Sequence, residues 1–190
     1  MMRGSVLGLI AAFVLAGCAS TAQADVASAA PPSRAQQLAD ALVVAETAAS
    51  SGDNATLTRA LATIERLGGR PLEGASDDPV AAWRSNAVLT EPPMRGRPLG
   101  PGYRSGRIRA GGSESFAQLF LSGTGASIAL SAPNGGRVAM RVIDPQAKTV
   151  CKGEANHGGT CRWVPLFTQR YTIEVANLSN EDVRYFLVVE

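Results

Sequence analysis

The spacing of apolar residues divides the chain into a helical part and a strand part. Between residues 33 and 69, apolar residues recur every three or four positions, which is the period of an amphipathic helix. Gly52 is suited to end one helix, and Asp53 or Asn54 to begin the next. A connection this short predicts two antiparallel helices, a helical hairpin.

The hairpin admits two interpretations. Its second helix, which carries Leu57, Leu61 and Ile64 on one face, faintly resembles a single tetratricopeptide-type repeat, and that resemblance implies peptide binding. A single repeat has no neighbour on which to bury its apolar face, so the other interpretation is a hairpin that packs on the domain that follows it. A third short helix is expected to begin at Asp78-Pro79, with proline in its first turn, and to end near residues 91–93.

From about residue 102 the hydrophobic period changes to two. Val138, Met140 and Val142 alternate with other residues, as expected of strands with one buried face. Turn-forming residues, such as those at 133–136, separate the apolar runs. We therefore expect an α+β protein in which a short helical hairpin precedes an all-β sandwich or jelly roll. The pattern predicts about eight strands, near residues 105–110, 115–121, 126–132, 137–143, 147–151, 160–164, 170–176 and 183–189.

The amino-terminal residues have the form of an export signal. Arg3 precedes an apolar run at residues 6–16, which is shorter than the roughly 20 residues that a membrane-spanning helix needs. The sequence Leu15-Ala16-Gly17-Cys18 resembles the lipobox of bacterial lipoproteins. That resemblance implies cleavage before Cys18 and acylation of its sulfur, which is the nucleophile that takes the lipid. The alternative is an ordinary secretory signal that happens to end in cysteine.

Lipidation would hold the mature protein on a membrane of the cell envelope, because each buried CH₂ of an acyl chain contributes about 0.8 kcal/mol. The lipoprotein resemblance also implies the periplasmic face of the outer membrane, because residue 19 is alanine and not the aspartate that signals retention in that family. Small, polar and proline residues follow Cys18, which predicts a flexible tether. The predicted segments are a signal peptide (1–17), a lipidated cysteine with its tether (18–32), a helical segment (33–93) and a β-sandwich (94–190).

Three runs in the second half carry a family resemblance. They are RVAMRVIDPQAKTVC, CRWVP and YTIEVANLSNEDVRYFLVV, and they resemble the bacterial pre-peptidase carboxy-terminal type of β-sandwich over roughly residues 102–190. The resemblance implies a non-catalytic accessory module of a secreted or surface protein, and some members bind calcium or extracellular polymers. Residues 139–141 depart from the family, since many relatives have acidic residues there. That departure argues against a calcium site, and we expect no cofactor.

Cys151 and Cys161 are the two cysteines besides Cys18. In an exported protein, two cysteines that flank a predicted hairpin loop are expected to form a disulfide. Closing a loop of about 11 residues stabilises a fold by roughly 2.5–3 kcal/mol on the chain-entropy model. The alternative is a metal site that also uses His157, but this set lacks a fourth ligand and an oxidising compartment opposes free thiolates.

Arginines provide the first candidate binding surface. The formal net charge of +2 is too small to favour nucleic acid as a partner. Residues 94–112 nevertheless contain five arginines and no acid, and Arg104, Arg107 and Arg109 lie at the first predicted strand. One interpretation is a patch that binds lipid phosphate or anionic glycan. The other is a solvated linker that leads into a strand with outward arginines.

Aromatic residues provide the second candidate. Trp163 and Phe167 flank Pro165 beside the cysteine loop, so they are candidates for an exposed surface that stacks on a glycan. The alternative is that they belong to the core, as most aromatic residues of a β-sandwich do.

Sequence motifs of catalysis are missing from the chain. His157 is the single histidine, and the sequence has no nucleophile elbow, zinc-protease helix or phosphate loop. The acid pairs at 77–78 and 181–182 fall at expected loop or cap positions, which favours solvated turns over glycoside chemistry. We therefore expect a lipid-anchored envelope protein that acts as a non-catalytic interaction or accessory module. The alternatives are a glycan- or peptidoglycan-binding lipoprotein and a hydrolase. The expected partners are membrane lipid, through Cys18, and an envelope protein or glycan.

Overall fold

The computed structural model describes residues 31–86, 100–155 and 159–190, and Pro32–Glu190 form one compact unit. Helices lead into two β-sheets, which confirms the predicted α+β class and the order of a helical hairpin followed by a sandwich. The helices are α1 (Arg34–Ser51), α2 (Asn54–Arg66) and α3 (Pro79–Asn86). In the described part of the chain, no helix has both the length and the hydropathy that crossing a membrane requires.

Local hydrogen bonds set the ends of the hairpin helices where the sequence predicts them. The Ser33 hydroxyl accepts a hydrogen bond from the Gln36 amide at 3.2 Å, which caps the start of α1. Gly52 ends α1 in the left-handed conformation, with a φ of 73° that glycine adopts without a steric penalty. The Asp53 carboxylate then accepts from the Thr56 amide at 3.0 Å and begins α2.

The strands form a five-stranded sheet A and a four-stranded sheet B. The two-residue β1 (Arg70–Pro71), which pairs in parallel with β2 (Gly102–Ile108), is too short to show an alternating pattern and was not predicted. In spatial order, sheet A contains β1 (Arg70–Pro71), β2 (Gly102–Ile108), β9 (Val183–Val189), β4 (Ala126–Ser131) and β7 (Thr160–Trp163). Sheet B contains β3 (Ser113–Phe120), β8 (Gln169–Asn177), β5 (Val138–Ile143) and β6 (Thr149–Glu154).

Sheet A is covered on both faces, so the fold has three layers. On one face, Tyr103, Phe186 and Val188 share a core with buried residues of all three helices. On the other face, Tyr185 and Leu187 share a second core with sheet B. Successive residues of a strand point to opposite faces, which is why β9 is apolar along most of its length. The hairpin therefore packs on the domain that follows it, as one of the two interpretations predicts.

A disulfide joins the two sheets. Cys151 in β6 and Cys161 in β7 are bonded, with their Cα atoms 5.8 Å apart, which confirms the predicted pairing. The loop between them is not the predicted hairpin loop, because β6 belongs to sheet B and β7 to sheet A. The bond also removes both thiols from the alternative metal site, whose His157 lies outside the described residues. Cys18, the signal peptide and the tether up to residue 30 lie outside them as well.

Candidate functional site

A groove of about 780 Å³ lies at the end of the sandwich where α1 ends and β9 begins. We call it the polar groove. It is lined by the last two turns of α1, by Arg107 of β2, by the turn at residues 133–136, and by residues 179–184, which form a turn and the start of β9. Most of the lining side chains carry hydroxyl, amide or charged groups. These segments are far apart in sequence, and the three-layer packing brings them together.

One buried side chain fixes the 179–184 wall of the groove. Asn177 is 2% exposed, and its amide nitrogen donates to the carbonyl oxygens of Ile108, Arg109 and Glu181 at 2.7–3.1 Å. Its side-chain oxygen accepts from the Ser179 amide at 2.8 Å. A buried amide with this many partners is costly to displace, so the turn is held against the end of β2.

The 133–136 wall is tied to the first one. Asn134 and Gly135 both have left-handed backbone angles, with φ of 56° and 69°, and these angles form a tight turn between β4 and β5. Residues on either side connect the turns, since the Leu178 amide donates to the Arg137 carbonyl at 2.8 Å. The Arg137 amide in turn donates to the Ser179 hydroxyl at 3.2 Å. Both walls are thus formed before any ligand arrives.

Two arginines line the groove, and they differ in availability. Arg184 forms ion pairs with Glu46 at 3.4 Å and with Asp77 at 2.8 Å, and its guanidinium lies over the ring of Phe186. Arg107 is exposed and has no ion-pair or hydrogen-bond partner within residues 31–86, 100–155 and 159–190. The groove therefore offers one available cation among neutral polar groups and the exposed carboxylates of Glu181 and Asp182. A guanidinium in that setting suits a carboxylate or phosphate of a polar ligand.

The other predicted arginines are placed elsewhere. Arg104 points between the sheets, where it lies 3.5 Å from Glu114 and 4.7 Å from the ring centre of Phe116. Those contacts occupy its guanidinium, so Arg104 serves packing between the sheets. Arg109 is exposed just beyond β2 and does not line the polar groove. The sequence could not separate these roles, because they depend on which face of the strand each side chain occupies.

Two buried tyrosines of sheet A, one in β2 and one in β9, hold carboxylates. Tyr185 donates to Glu114, and burial, then this hydrogen bond, raises the pKa of Tyr185 well above its ordinary value. Tyr103 donates to Asp78 at 2.5 Å, and the same causes raise the pKa of Tyr103. Both phenols are thus kept neutral as hydrogen-bond donors.

The acid pair at 77–78 lies exposed in the loop before α3, as the sequence indicated. Asp78 also caps α3, because its side chain accepts from the Ala81 amide at 3.2 Å. Asp77 accepts from the Ser105 hydroxyl at 3.0 Å and pairs with Arg184. The pair therefore fastens the start of α3 to sheet A.

The aromatic candidates sit at the opposite end of the sandwich from the polar groove. The Trp163 ring is half-buried and packs edge-on against Phe120, with ring centres 4.8 Å apart. Phe167 is 69% exposed in the loop between β7 and β8. The two residues therefore do not form one flat exposed platform. In the described ranges, no group of three or more His, Cys, Asp or Glu side chains is arranged to hold a metal ion.

Comparison with known proteins gives structural similarity alone. No family model matches the sequence, and no curated protein matches it. Solved structures that resemble the chain include the pre-peptidase C-terminal domain of a collagenase from Bacillus anthracis, at 16% identity and a TM-score of 0.42, over 46% of this chain and 87% of that one. Another is PliG of Aeromonas hydrophila, a periplasmic inhibitor of g-type lysozyme, at 14% identity and a TM-score of 0.39, over 47% and 84%. Identity this low transfers no binding site to this chain.

Proposed function

We propose that this protein is a lipid-anchored component of the bacterial cell envelope whose folded domain is a non-catalytic binding module. The observation that carries the binding role is the polar groove, which has fixed walls and one available cation, Arg107. The lipobox at residues 15–18 supports the anchor, and the Cys151–Cys161 disulfide fits an oxidising compartment. The sequence runs within residues 102–190 resemble accessory modules of secreted proteins, and this resemblance supports a role without catalysis.

The groove's chemistry defines the partner by what it must offer. Hydroxyl and amide side chains, among them Ser50, Asn134 and Asn180, can donate and accept hydrogen bonds, and Arg107 can pair with an anion. A polar segment of an envelope protein that carries a carboxylate meets these requirements, and this is the partner we favour.

A peptidoglycan fragment is the second candidate, and one feature favours it. Glycans expose many hydroxyl and amide groups, and the neutral polar groups of the groove outnumber its available charges. The stem peptides of peptidoglycan also carry carboxylates that Arg107 can bind. The two candidates share one site, so one set of variants tests both.

The experiment is site-specific crosslinking of the native lipoprotein in cells. A photoreactive residue at Asn134 or Asn180 is expected to capture a partner, and mass spectrometry then shows whether it is a protein or a peptidoglycan fragment. The same residue at Ala62, on the exposed side of α2, is the matched control and is expected to capture little. If the groove positions capture no more than Ala62, the groove is not the binding site.

Substitution of arginines gives the quantitative arm. Arg107→Ala removes the available cation, and we expect capture or affinity to fall about tenfold, as for loss of one charge-assisted hydrogen bond. Arg109→Ala removes an exposed arginine of the same region that lies outside the groove, and we expect no change. Equal loss in both variants would indicate a general charge effect and would contradict a specific site.

The lipid anchor is tested separately. Cells grown with labelled palmitate are expected to incorporate label into the native protein, whereas a Cys18→Ser variant incorporates none. An intact-mass measurement that finds residues 1–17 still attached, or an unmodified Cys18 at the new terminus, would refute the anchor.

A further inference from the structure

Four apolar side chains are exposed together at the end of the sandwich opposite the polar groove. Leu166 is 83% exposed, Phe167 69%, Val164 60% and Leu121 56%. We call these four residues the apolar tip. Single exposed apolar residues are ordinary, but a cluster on neighbouring loops marks an interaction site.

The apolar tip is held in place by hydrogen bonds between its two loops. The Gly123 amide donates to the Pro165 carbonyl at 2.9 Å, and the Ser122 amide donates to the Thr168 hydroxyl at 3.0 Å. Beneath the loops, Trp163 packs on Phe120 in the core. The apolar side chains are thus presented to solvent by an ordered scaffold, so their exposure is a property of the fold.

Positive charge flanks the apolar tip on both sides. Arg162 pairs in register with Ser127 on the helix-covered face of sheet A, and Arg170 pairs with Leu119 on the outer face of sheet B. Both arginines are exposed, and neither has an ion-pair partner in the described parts of the chain. An apolar projection between two unpaired cations is complementary to a membrane with anionic headgroups.

The described chain also begins at this end. Arg34, the first residue of α1, lies 3.8 Å from Glu190, which pairs through its backbone with Ser127 at the start of β4. Glu190 and Leu121 line one shallow groove of about 300 Å³. Helix α1 therefore begins on the same side of the domain as the apolar tip.

We propose that the apolar tip inserts into the headgroup region of an anionic phospholipid membrane, with Arg162 and Arg170 contacting phosphates. This inference rests on the proposed envelope location. It predicts the orientation of the domain on the membrane, because insertion of the apolar tip places the polar groove at the end facing away from the lipid surface. The groove is then open to partners in the aqueous space.

The test uses the mature chain from residue 18 with Cys18→Ser, so that no acyl chain contributes to binding. We expect this chain to sediment with vesicles of equal parts phosphatidylglycerol and phosphatidylcholine. Replacing Leu166 and Phe167 together by serine is expected to weaken partitioning by roughly tenfold or more, since two large apolar side chains then stay in water. Replacing Arg162 and Arg170 by glutamine is expected to weaken partitioning by about fivefold per arginine on these anionic vesicles. It is not expected to change partitioning on vesicles of phosphatidylcholine alone.

The matched controls lie at the other end of the domain. Leu178 is 42% exposed beside the polar groove, so Leu178→Ser removes an exposed apolar residue away from the tip. We expect Leu178→Ser and Arg109→Gln to bind vesicles as the parent chain does, and thermal unfolding monitored by circular dichroism to show that every variant is folded.

Failure to bind anionic vesicles overturns the proposal, as does equal binding by the Leu166→Ser/Phe167→Ser variant. Self-association that this variant loses, without any vesicle binding, would assign the patch to contact between copies instead. These outcomes are independent of palmitate incorporation, which tests the anchor itself.

Discussion

The disulfide offers a quantitative test of the fold because it is a covalent link between the two sheets. Its cysteines are separated by 10 positions in sequence. A cross-link closing a loop of that size lowers the entropy of the unfolded chain by about 9 cal/mol/K, equivalent to about 2.7 kcal/mol at 25 °C. The unit from residue 32 to 190 has an unfolding entropy of roughly 330 cal/mol/K. The Cys151→Ala/Cys161→Ala variant should therefore unfold about 8 °C below the parent.

Thermal unfolding followed by far-ultraviolet circular dichroism measures this difference. Cys161 is fully buried, so alanine there also leaves a small void. The parent protein treated with dithiothreitol keeps both sulfurs, and its unfolding temperature separates the cross-link from the void. We expect the reduced parent to lie within a few degrees of the double variant. A decrease of less than about 2 °C in both samples would refute the reasoning.

Two further predictions concern side chains that pack on the two faces of sheet A. A Cβ added at Gly106 would lie 2.7 Å from the ring of Tyr185, so Gly106→Ala should lower the free energy of unfolding in urea by about 1–3 kcal/mol. The control is Gly125→Ala, whose added Cβ meets nothing within 4 Å and should lower it far less. Equal costs would show that the close approach of strand and ring does not matter. The pKa values of Tyr103 and Tyr185 are raised in the folded state. The two side chains therefore contribute their full stabilisation below about pH 10, where tyrosine in the unfolded chain is neutral. This stabilisation is lost as the pH rises further. Phenolate absorbance near 295 nm from these two residues should appear only with loss of the circular dichroism signal, and its appearance in folded protein would contradict their burial.

The helices and most strands could be predicted because their signals are local. The caps at Ser33, Gly52 and Asp53 need only a few neighbouring residues, and the alternation around Met140 is visible in a short window. The two-residue β1 has no such pattern, since its pairing with β2 is a long-range event. The assignment of β6 and β7 to different sheets is equally non-local, which is why the cysteine loop was expected to be a hairpin.

The candidate site was predictable only in part. Arg107 stood among the candidate arginines, but Glu46, Asn134 and Asn180 come from three other segments, and only the packing of α1 against the sheet edge unites them. Asn177 is of a turn-forming residue type, but the sequence does not reveal that its side chain is buried. The apolar tip did have a sequence signal, because residues 164–167 form an apolar run between two arginines with no helical or strand period.

The second covered face of sheet A bears on how this protein can be divided. Without residues 33–86, Tyr103, Phe186 and Val188 would lose their helical cover and form an adhesive apolar surface beside the strands. An expression fragment that starts after the helices is therefore expected to precipitate or to require detergent, even though it contains every strand of sheet B. Because the helices and sheet A share one core, neither part is expected to fold alone in a fusion protein. The smallest fragment for biochemical work therefore begins at Ser33, the cap of the first helix.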